Sequence, residues 1–358
     1  MLSMIAMSGG VDSSVAATLV ADERGKDACV GVAMRLYSVA DDEVRTGRAG
    51  RTCCAPDDLY DARRAAATLG IRFYVYDAQD RFRAQVIEPF IAAYAQGETP
   101  NPCVRCNDHV KFDWLLDRAT RLGATELVTG HYARVGLGPD GRYQLLRAKD
   151  PLKDQSYFLH GLTQDALARV RFPLGGLTKV EVRALARERK LPNADKPESM
   201  EVCFVGDTPL PDFLEAHGVR KAAGMIVDMS GRAVGEHGGV HRFTVGQRRG
   251  LGVSHSLPLY VAALDAEKQR VVVGTHQEVA RTAFAATDAS WVAGPPEPGA
   301  RCEVQIRHRG RPLAATLEQD GVRIQVKLLE PAVGVAPGQS AVFYRGDNVL
   351  GGARICSF

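Results

Sequence analysis

The residues with the clearest chemical potential are three thiols and a glycine–serine loop. Two cysteines stand three apart in TPNPCVRCND (Thr99 to Asp108), and a third, Cys203, stands in EVCFV. A C-x-x-C with no second such pair is open between zinc, disulfide chemistry and an iron–sulfur cluster. Near the N-terminus, AMSGGVDSS (6–14) offers Gly9 and Gly10, which let a backbone approach a phosphate with no Cβ in the way. Ser8, Ser13 and Ser14 add hydroxyl donors, and a helix start adds partial positive charge. Asp12 is a candidate ligand for a Mg²⁺ ion that bridges phosphate oxygens. The loop lacks the lysine of G-x-x-x-x-G-K-S/T, so it is not that of a kinase or GTPase.

These groups need a scaffold, and the hydrophobic pattern predicts one. LSMIAM (2–7), CVGVAMRL (29–36), RFYVYD (72–77) and ELVTGHY (126–132) predict buried strands. SSVAATLVADE, DDLYDARRAAATLG and HVKFDWLLDRATRLGA carry apolar residues at helical spacing between them. Asp57 or Asp58 is the expected N-cap of the second helix, and Gly70 and Gly123 are expected to close the second and third. Alternating strand and helix predicts an α/β, doubly wound, mostly parallel sheet, with ligands at the carboxyl ends of its strands. Near residue 205 the texture changes to short alternating runs punctuated by Gly, which predict antiparallel strands. The expected organisation is a catalytic domain (1–205), a small central β-rich domain (206–280) and a C-terminal β-barrel (281–358), with AGPPEPGARC as a linker.

At 358 residues the chain is long for one core, and 45% hydrophobic and 24% charged residues are those of a globular protein. A net charge of +3 is too small to announce a nucleic-acid binder, so any basic face must be local. No apolar run reaches the ~18 residues of a membrane span. The first residues enter a strand at once, so no targeting segment and a cytoplasmic location are expected. The eight cysteines are therefore expected to be thiols, catalytic groups or metal ligands. Cys29, Cys302 and Cys356 lie in apolar strand-like runs and are expected in cores. The vicinal pair Cys53 and Cys54 is assigned no role.

S-G-G-V-D-S-S at a strand–helix junction resembles the pyrophosphate-binding (PP) loop of the N-type ATP pyrophosphatases. That superfamily, of adenine nucleotide alpha hydrolase-like fold, cleaves ATP between the α- and β-phosphates and adenylates a carbonyl oxygen. GETPNPCVRCNDHVKF, TGHYAR, KDQSYFLHGL, LPNADKPESMEVCFVGD, GEHGGVHRFTVGQRRGLGV and VLGGARI resemble, in that order, segments of tRNA-specific 2-thiouridylases. The resemblance runs from Ser3 to Ile355. It implies replacement of the wobble-uridine O2 by sulfur in tRNAs for Lys, Glu and Gln. Uracil C2 is a poor electrophile, and adenylating O2 makes the oxygen a good leaving group. The base must also be unstacked from the anticodon loop to be reached.

By this resemblance Ala6, Met7, Ser8, Gly9, Gly10, Val11, Asp12 and Ser13 line the phosphates of ATP, and Met34 and Gly130 meet its adenosine. Asn101, Pro102 and Cys103 abut the target base. Lys153, Asp154 and Gln155, with Arg307 and His308, meet the anticodon stem-loop of the tRNA. Cys203 carries a persulfide received from a donor protein, a cysteine desulfurase or relay protein. Cys106 releases the sulfur, leaving a Cys106–Cys203 disulfide to be reduced. The sequence departs from the pattern at Cys103, where many relatives carry Asp, and an ordinary thiol is a poor stand-in for a carboxylate. Three cysteines with an open fourth position suit a four-iron four-sulfur cluster on Cys103, Cys106 and Cys203. A persulfide couple with Cys103 a bystander, or a zinc site, are the rival readings. At the level of function the rivals are a small-molecule adenylating synthetase of the argininosuccinate or GMP synthetase kind and a non-catalytic RNA-binding protein. Stimulation of ATP–pyrophosphate turnover by tRNA separates them.

Overall fold

The computed structural model of the protein describes residues 1–37, 56–197 and 202–356, so Cys53 and Cys54 lie outside the described residues. The chain divides into two compact units. The first comprises residues 1–87, 103–208 and 347–349, and the second 88–102, 209–346 and 350–358.

The first unit is built on a five-stranded sheet. Its strands are β1 (Leu2–Ala6), β2 (Cys29–Arg35), β3 (Arg72–Asp77), β4 (Ala124–Val128) and β7 (Val170–Arg171), ordered β3-β2-β1-β4-β7. All four pairings are parallel, as the alternation of strand and helix predicts. β1 lies between β2 and β4, with Met4 and Ile5 facing Leu127 and Val128 in register, and all four side chains are buried. A central parallel strand is covered on both faces, which is why LSMIA reads as a continuous apolar run.

Helix α1 (Val11–Arg24) follows β1 directly and buries Val11, Val15, Ala16, Ala17 and Val20 against Ile5, Cys29 and Val128. It stops at Gly25, whose φ of +83° closes it. Helix α2 (Pro56–Leu69) starts on a proline, and Asp57 and Asp58 lie in its first turn, favourable there to the helix dipole. The predicted third helix begins earlier than its periodicity indicates. It starts as α3 (Pro102–Cys106), widens into a π-helical stretch over Asn107–Leu115 and ends as Leu116–Arg121. Strand β4 stops at Val128, so TGHY forms the turn beyond the strand's carboxyl end. A hairpin of β5 (Arg134–Leu137) and β6 (Tyr143–Leu146) follows, and β6 also pairs with Asn348 and Val349. Helix α4 (Lys179–Glu188) opens on a capping box between Thr178 and Glu181.

The second unit contains a short helix α5 (Leu210–Ala216) and two sheets. The smaller holds β8 (Gly224–Val227), β9 (Ala233–His237), β10 (Leu259–Asp265) and β11 (Arg270–Thr275) in the order β10-β11-β8-β9. Ile226, Val261, Val271 and Val273 form its core. Six strands form a closed barrel: β12 (Arg281–Trp291), β13 (Ala300–Gln305), β14 (Leu313–Asp320), β15 (Arg323–Ala332), β16 (Ser340–Arg345) and β17 (Asn348–Ile355). The order β12-β15-β14-β13-β16-β17 is shut by antiparallel pairing of β12 with β17, which removes the exposed edges. The sequence alternates as a barrel wall must: in β15, Ile324, Val326 and Leu328 point inward between exposed Arg323, Gln325 and Lys327.

Phe343 is 0% exposed and stacks on Trp291 with ring centroids 5.5 Å apart. Phe343→Ala should cost the barrel about 3–5 kcal/mol. Urea unfolding followed by tryptophan fluorescence checks this, with the midpoint moving to lower urea.

Candidate active site

The loop between β1 and α1 is held open by its own serines. Ser8 N donates to Ser13 Oγ at 3.1 Å, and Ser13 Oγ and Ser14 Oγ each donate to Gly10 O at 3.1 Å. Gly10 is the N-cap of α1 and has no side chain to satisfy the first amides, which stay available to an anion. Gly9 has a φ of +77°, and a Cβ there would lie 2.1 Å from the Asp58 carbonyl oxygen, so only glycine fits. Gly130, just past β4, packs as closely: a Cβ would lie 2.7 Å from Ser13 N. The predicted residues Ser8 to Ser13 and Gly130 therefore meet at one end of the sheet. Met7 and Val11 are buried beneath the loop, Ala6 is half-buried, and Met34 is half-buried near the end of β2.

Asp12 is the focus of the polar contacts. Lys179 Nζ reaches its two carboxylate oxygens at 2.7 and 2.8 Å, and the Tyr132 hydroxyl donates to Oδ1 at 2.8 Å. Lys179 is only 8% exposed, so its ammonium is committed to this position. Asn193 donates through Nδ2 to Gly9 O and to Ser14 Oγ, both at 2.9 Å. The loop without a lysine of its own thus receives one from α4. A single carboxylate such as Asp12 also suits Mg²⁺ when phosphate oxygens and water complete the shell.

The thiols occupy three different environments. Cys106 is buried, Cys203 is half-buried and Cys103 is exposed. Cys203 sits in a turn anchored by Phe204, which is 1% exposed and meets Phe82 edge to face at 5.7 Å. Among the described residues no group of three His, Cys, Asp or Glu is placed to hold a metal ion. The expected cluster set of Cys103, Cys106 and Cys203 is therefore not assembled here. The reason is local: α3 winds the C-x-x-C stretch into helix, with one thiol turned to solvent and the other to the interior. The six described cysteines are all thiols, so the expected Cys106–Cys203 disulfide is not present in this state. Burial raises the Cys29 thiol pKa and pushes that of Cys302 up to about 11, in keeping with inert core residues.

Beside Cys106, Asn107 Nδ2 donates to Phe158 O at 2.9 Å. Asp108 Oδ1 is buried with no hydrogen-bond partner, and a Cβ at Gly161 would lie 2.3 Å from it. Burial pushes the Asp108 carboxyl up to about 7, with the Arg105 cation opposing. His131 is held neutral, its pKa lowered well below the usual range by burial and by the Lys111 cation. Lys111 has no lone pair, so at 3.5 Å its ammonium donates to Nε2 of His131. Nδ1 then carries the proton toward Thr129 Oγ1 at 2.7 Å.

The segments expected to meet RNA are partly committed elsewhere. Asp154 accepts from Ala148 N, Ser156 N, Ser156 Oγ and Arg147 Nη1. Gln155 Oε1 accepts from Tyr132 N at 3.0 Å. Both side chains brace the turn, and Lys153 beside them is half-buried. Asn101 and Pro102 precede Cys103 directly. In the second unit Arg307 is exposed and His308 half-buried in the turn after β13.

Comparison with known proteins decides the family. The family model described as tRNA methyl transferase HUP domain matches residues 2–207. Those for the tRNA methyl transferase PRC-barrel domain and the aminomethyltransferase beta-barrel domain match 211–275 and 281–355. The tRNA-specific 2-thiouridylase MnmA of Geobacter metallireducens is 48% identical over 354 residues, covering 98% of this chain and 96% of that one. The chain belongs to the tRNA-specific 2-thiouridylase family. The enzyme of the same name from Chloroflexus aurantiacus is 48% identical over 356 residues, covering 98% of this chain and 97% of its own. Among solved structures, the U34-tRNA thiolase NcsA from Methanococcus maripaludis with its four-iron four-sulfur cluster is 16% identical. It covers 57% of this chain and 60% of that chain at a TM-score of 0.35.

For a thiouridylase-family chain, Lys179, Tyr132 and Asn193 are the loop residues that sequence reasoning missed. A signal existed for the first: a phosphate loop with no lysine needs a cation from elsewhere, and T-K-V-E marks a helix start with a lysine in it. Lys179→Ala should lower kcat/KM for ATP about 10–100-fold. Steady-state kinetics with ATP varied check it.

A second prediction concerns Asp108. Between pH about 4 and 7 the unfolded chain has lost this proton while the folded chain keeps it, so the unfolded state binds fewer protons. Stability from this group therefore falls as pH rises through that window. Asp108→Asn should raise stability at pH 8 by about 1–3 kcal/mol and leave pH 4 nearly unchanged. Thermal melts at the two pH values read the difference.

Proposed function

We propose that this thiouridylase-family chain is an ATP-dependent sulfurtransferase that 2-thiolates the wobble uridine of tRNAs for Lys, Glu and Gln. The observation that carries this reading is one compact unit holding both the Lys179-completed phosphate loop and the two thiols Cys106 and Cys203. In the first step the uracil O2 attacks the α-phosphate of ATP, the bond to the β-phosphate oxygen breaks, and pyrophosphate leaves. The amides at the start of α1, the loop serines and Lys179 meet the charge gathering on that pyrophosphate. A magnesium ion on Asp12 and the phosphate oxygens would supply further charge neutralisation.

In the second step the terminal sulfur of a Cys203 persulfide attacks C2, and AMP departs with the former O2. The Cys106 thiolate then attacks the Cys203 Sγ, and the S–S bond to the base sulfur breaks. This leaves 2-thiouridine and a Cys106–Cys203 disulfide, which a thiol reductant returns to two thiols. The persulfide is recharged by a sulfur-donor protein. This relay uses only Cys106 and Cys203, both in the first unit. Among the described residues no helix is long and apolar enough to cross a membrane.

Cys106→Ser and Cys203→Ser should each lower thiolation of a wobble-uridine tRNA by about 100-fold or more while ATP binding persists. Cys103→Ala should stay within about twofold of the parent, since the relay uses only two thiols. Loss of activity in Cys103→Ala equal to that in Cys106→Ser would overturn the two-thiol route. ATP–pyrophosphate turnover indifferent to tRNA would overturn the RNA substrate in favour of a small molecule.

A further inference from the structure

The loop between β9 and β10 carries Arg248 and Arg249, which have no part in the steps above. Its backbone is pinned. Gly246 N donates to Val261 O at 2.8 Å, and Val261 N donates to Gln247 O at 3.0 Å, so the loop is tied to β10. The Gln247 side chain clamps the same turn: Oε1 accepts from Thr244 N at 3.0 Å and Nε2 donates to Arg249 O at 2.9 Å. Leu251 packs into the core of the smaller sheet with Phe243 and Val261. Both arginine side chains nevertheless stand exposed. The loop also meets the barrel, within the second unit. Gly246 has a φ of +87°, and a Cβ there would lie 2.5 Å from Gly334 Cα. A Cβ at Gly334 would in turn lie 3.5 Å from Arg307 Nη1. The Arg307 guanidinium therefore lies against this glycine pair, and the Cα atoms of Arg248 and Arg249 start within about 11 Å of it. Two residues beyond Arg307, Arg309 is exposed and takes a φ of +62°, where a side chain is disfavoured.

Among the described residues none of Arg248, Arg249, Arg307 and Arg309 forms an ion pair. Like charges gathered without counter-charge repel, and an anionic partner removes that cost. A guanidinium fork matches a phosphate through two parallel hydrogen bonds. Cations fixed on two separate segments fit a ligand whose charges repeat at a regular interval, as those of a polynucleotide backbone do. We propose that Arg248 and Arg249 join Arg307 and Arg309 in one phosphate-binding face, which grips the backbone of the RNA substrate. This inference rests on the proposed RNA substrate and adds to it two contacts from the loop of the smaller sheet. The contacts are to phosphates and not to base edges, so they hold the RNA without reading its sequence.

The test is filter retention by the full chain of unmodified transcripts of a tRNA for Glu and a tRNA for Phe, at salt from about 50 to 200 mM. Arg248→Gln/Arg249→Gln should weaken both RNAs about tenfold and reduce the slope of log Kd against log salt by about 1–2. Arg248→Lys/Arg249→Lys should recover most of the slope. The reference is Arg323, exposed in the hairpin after β14. Strand β14 runs from Leu313, beside the 307–311 turn, to Asp320, which puts Arg323 about 23 Å away along the strand. Arg323→Gln should leave the slope at the parent's value. In thiolation of the tRNA for Glu, the glutamine pair should raise KM for RNA and keep kcat within about twofold. The parent's slope in the glutamine pair, an equal fall in Arg323→Gln, or a loss confined to the tRNA for Glu overturns the face and leaves the RNA reading standing. Failure of the parent to bind either tRNA overturns the RNA reading itself, and the face with it.

Discussion

The contact between Asp12 and Lys179 constrains more of the first unit than any other single interaction. A lysine only 8% exposed is tolerable when its charge is met, and here both carboxylate oxygens meet it. For that to happen, α4 must present Lys179 in its first turn, which the Thr178–Glu181 capping box fixes. The end of β4 must come flush against α1, which Gly130 permits by having no Cβ, and Tyr132 then reaches the same carboxylate. Placing β1 beside β4 in the sheet brings these pieces to one end of it. A loop with no lysine of its own is thereby given one, and the contacts around Asp12 draw on three parts of the chain distant in sequence.

The thiols follow a different logic. The proposed relay requires that Cys106 and Cys203 meet during turnover, not that they lie together beforehand. Cys103, Cys106 and Cys203 differ in exposure from one another. Cys106 lies at the end of α3, where the helix widens into its π-helical stretch. Such stretches carry weaker backbone hydrogen bonding and recur at functional positions, so this end of the helix is a natural place for adjustment when a base arrives.

The parallel sheet, the barrel and the glycine–serine loop were legible because each is written in local periodicity or in a short motif at a strand–helix junction. Strand β4 was placed too late, over 126–132 against the observed Ala124–Val128, since TGHY continues the apolar run although it lies beyond the strand. Lys179 and Asn193 were not legible as loop residues because they are 167 residues from Asp12 and 184 from Gly9, respectively. Spacing does not encode such contacts, although a phosphate loop without a lysine signals that a cation must come from elsewhere. Asp154 and Gln155 have a structural use that their motif does not reveal. Their polarity and motif point outward to RNA, while the structure uses their oxygens to satisfy backbone amides of neighbouring turns. A polar side chain in a motif is as often a brace for backbone groups as a contact for a ligand.

Charge is committed in the same way. With a net charge of only +3, attraction to RNA must come from side chains not already neutralised. Arg147 is spent on Asp154, and Lys179 and Lys196 on carboxylates. In the turn after β13, by contrast, Arg307 and Arg309 are exposed, and Arg311 meets the exposed Glu330 at 3.1 Å. An exposed pair of that kind contributes little and yields readily to a phosphate, which accepts from the same guanidinium. Lys179 and the half-buried Lys196 are thus held by carboxylates, while the arginines of the barrel turn stay exposed to solvent. A division of cations by burial lets a nearly neutral chain keep its exposed positive charge local, with no strongly basic surface overall.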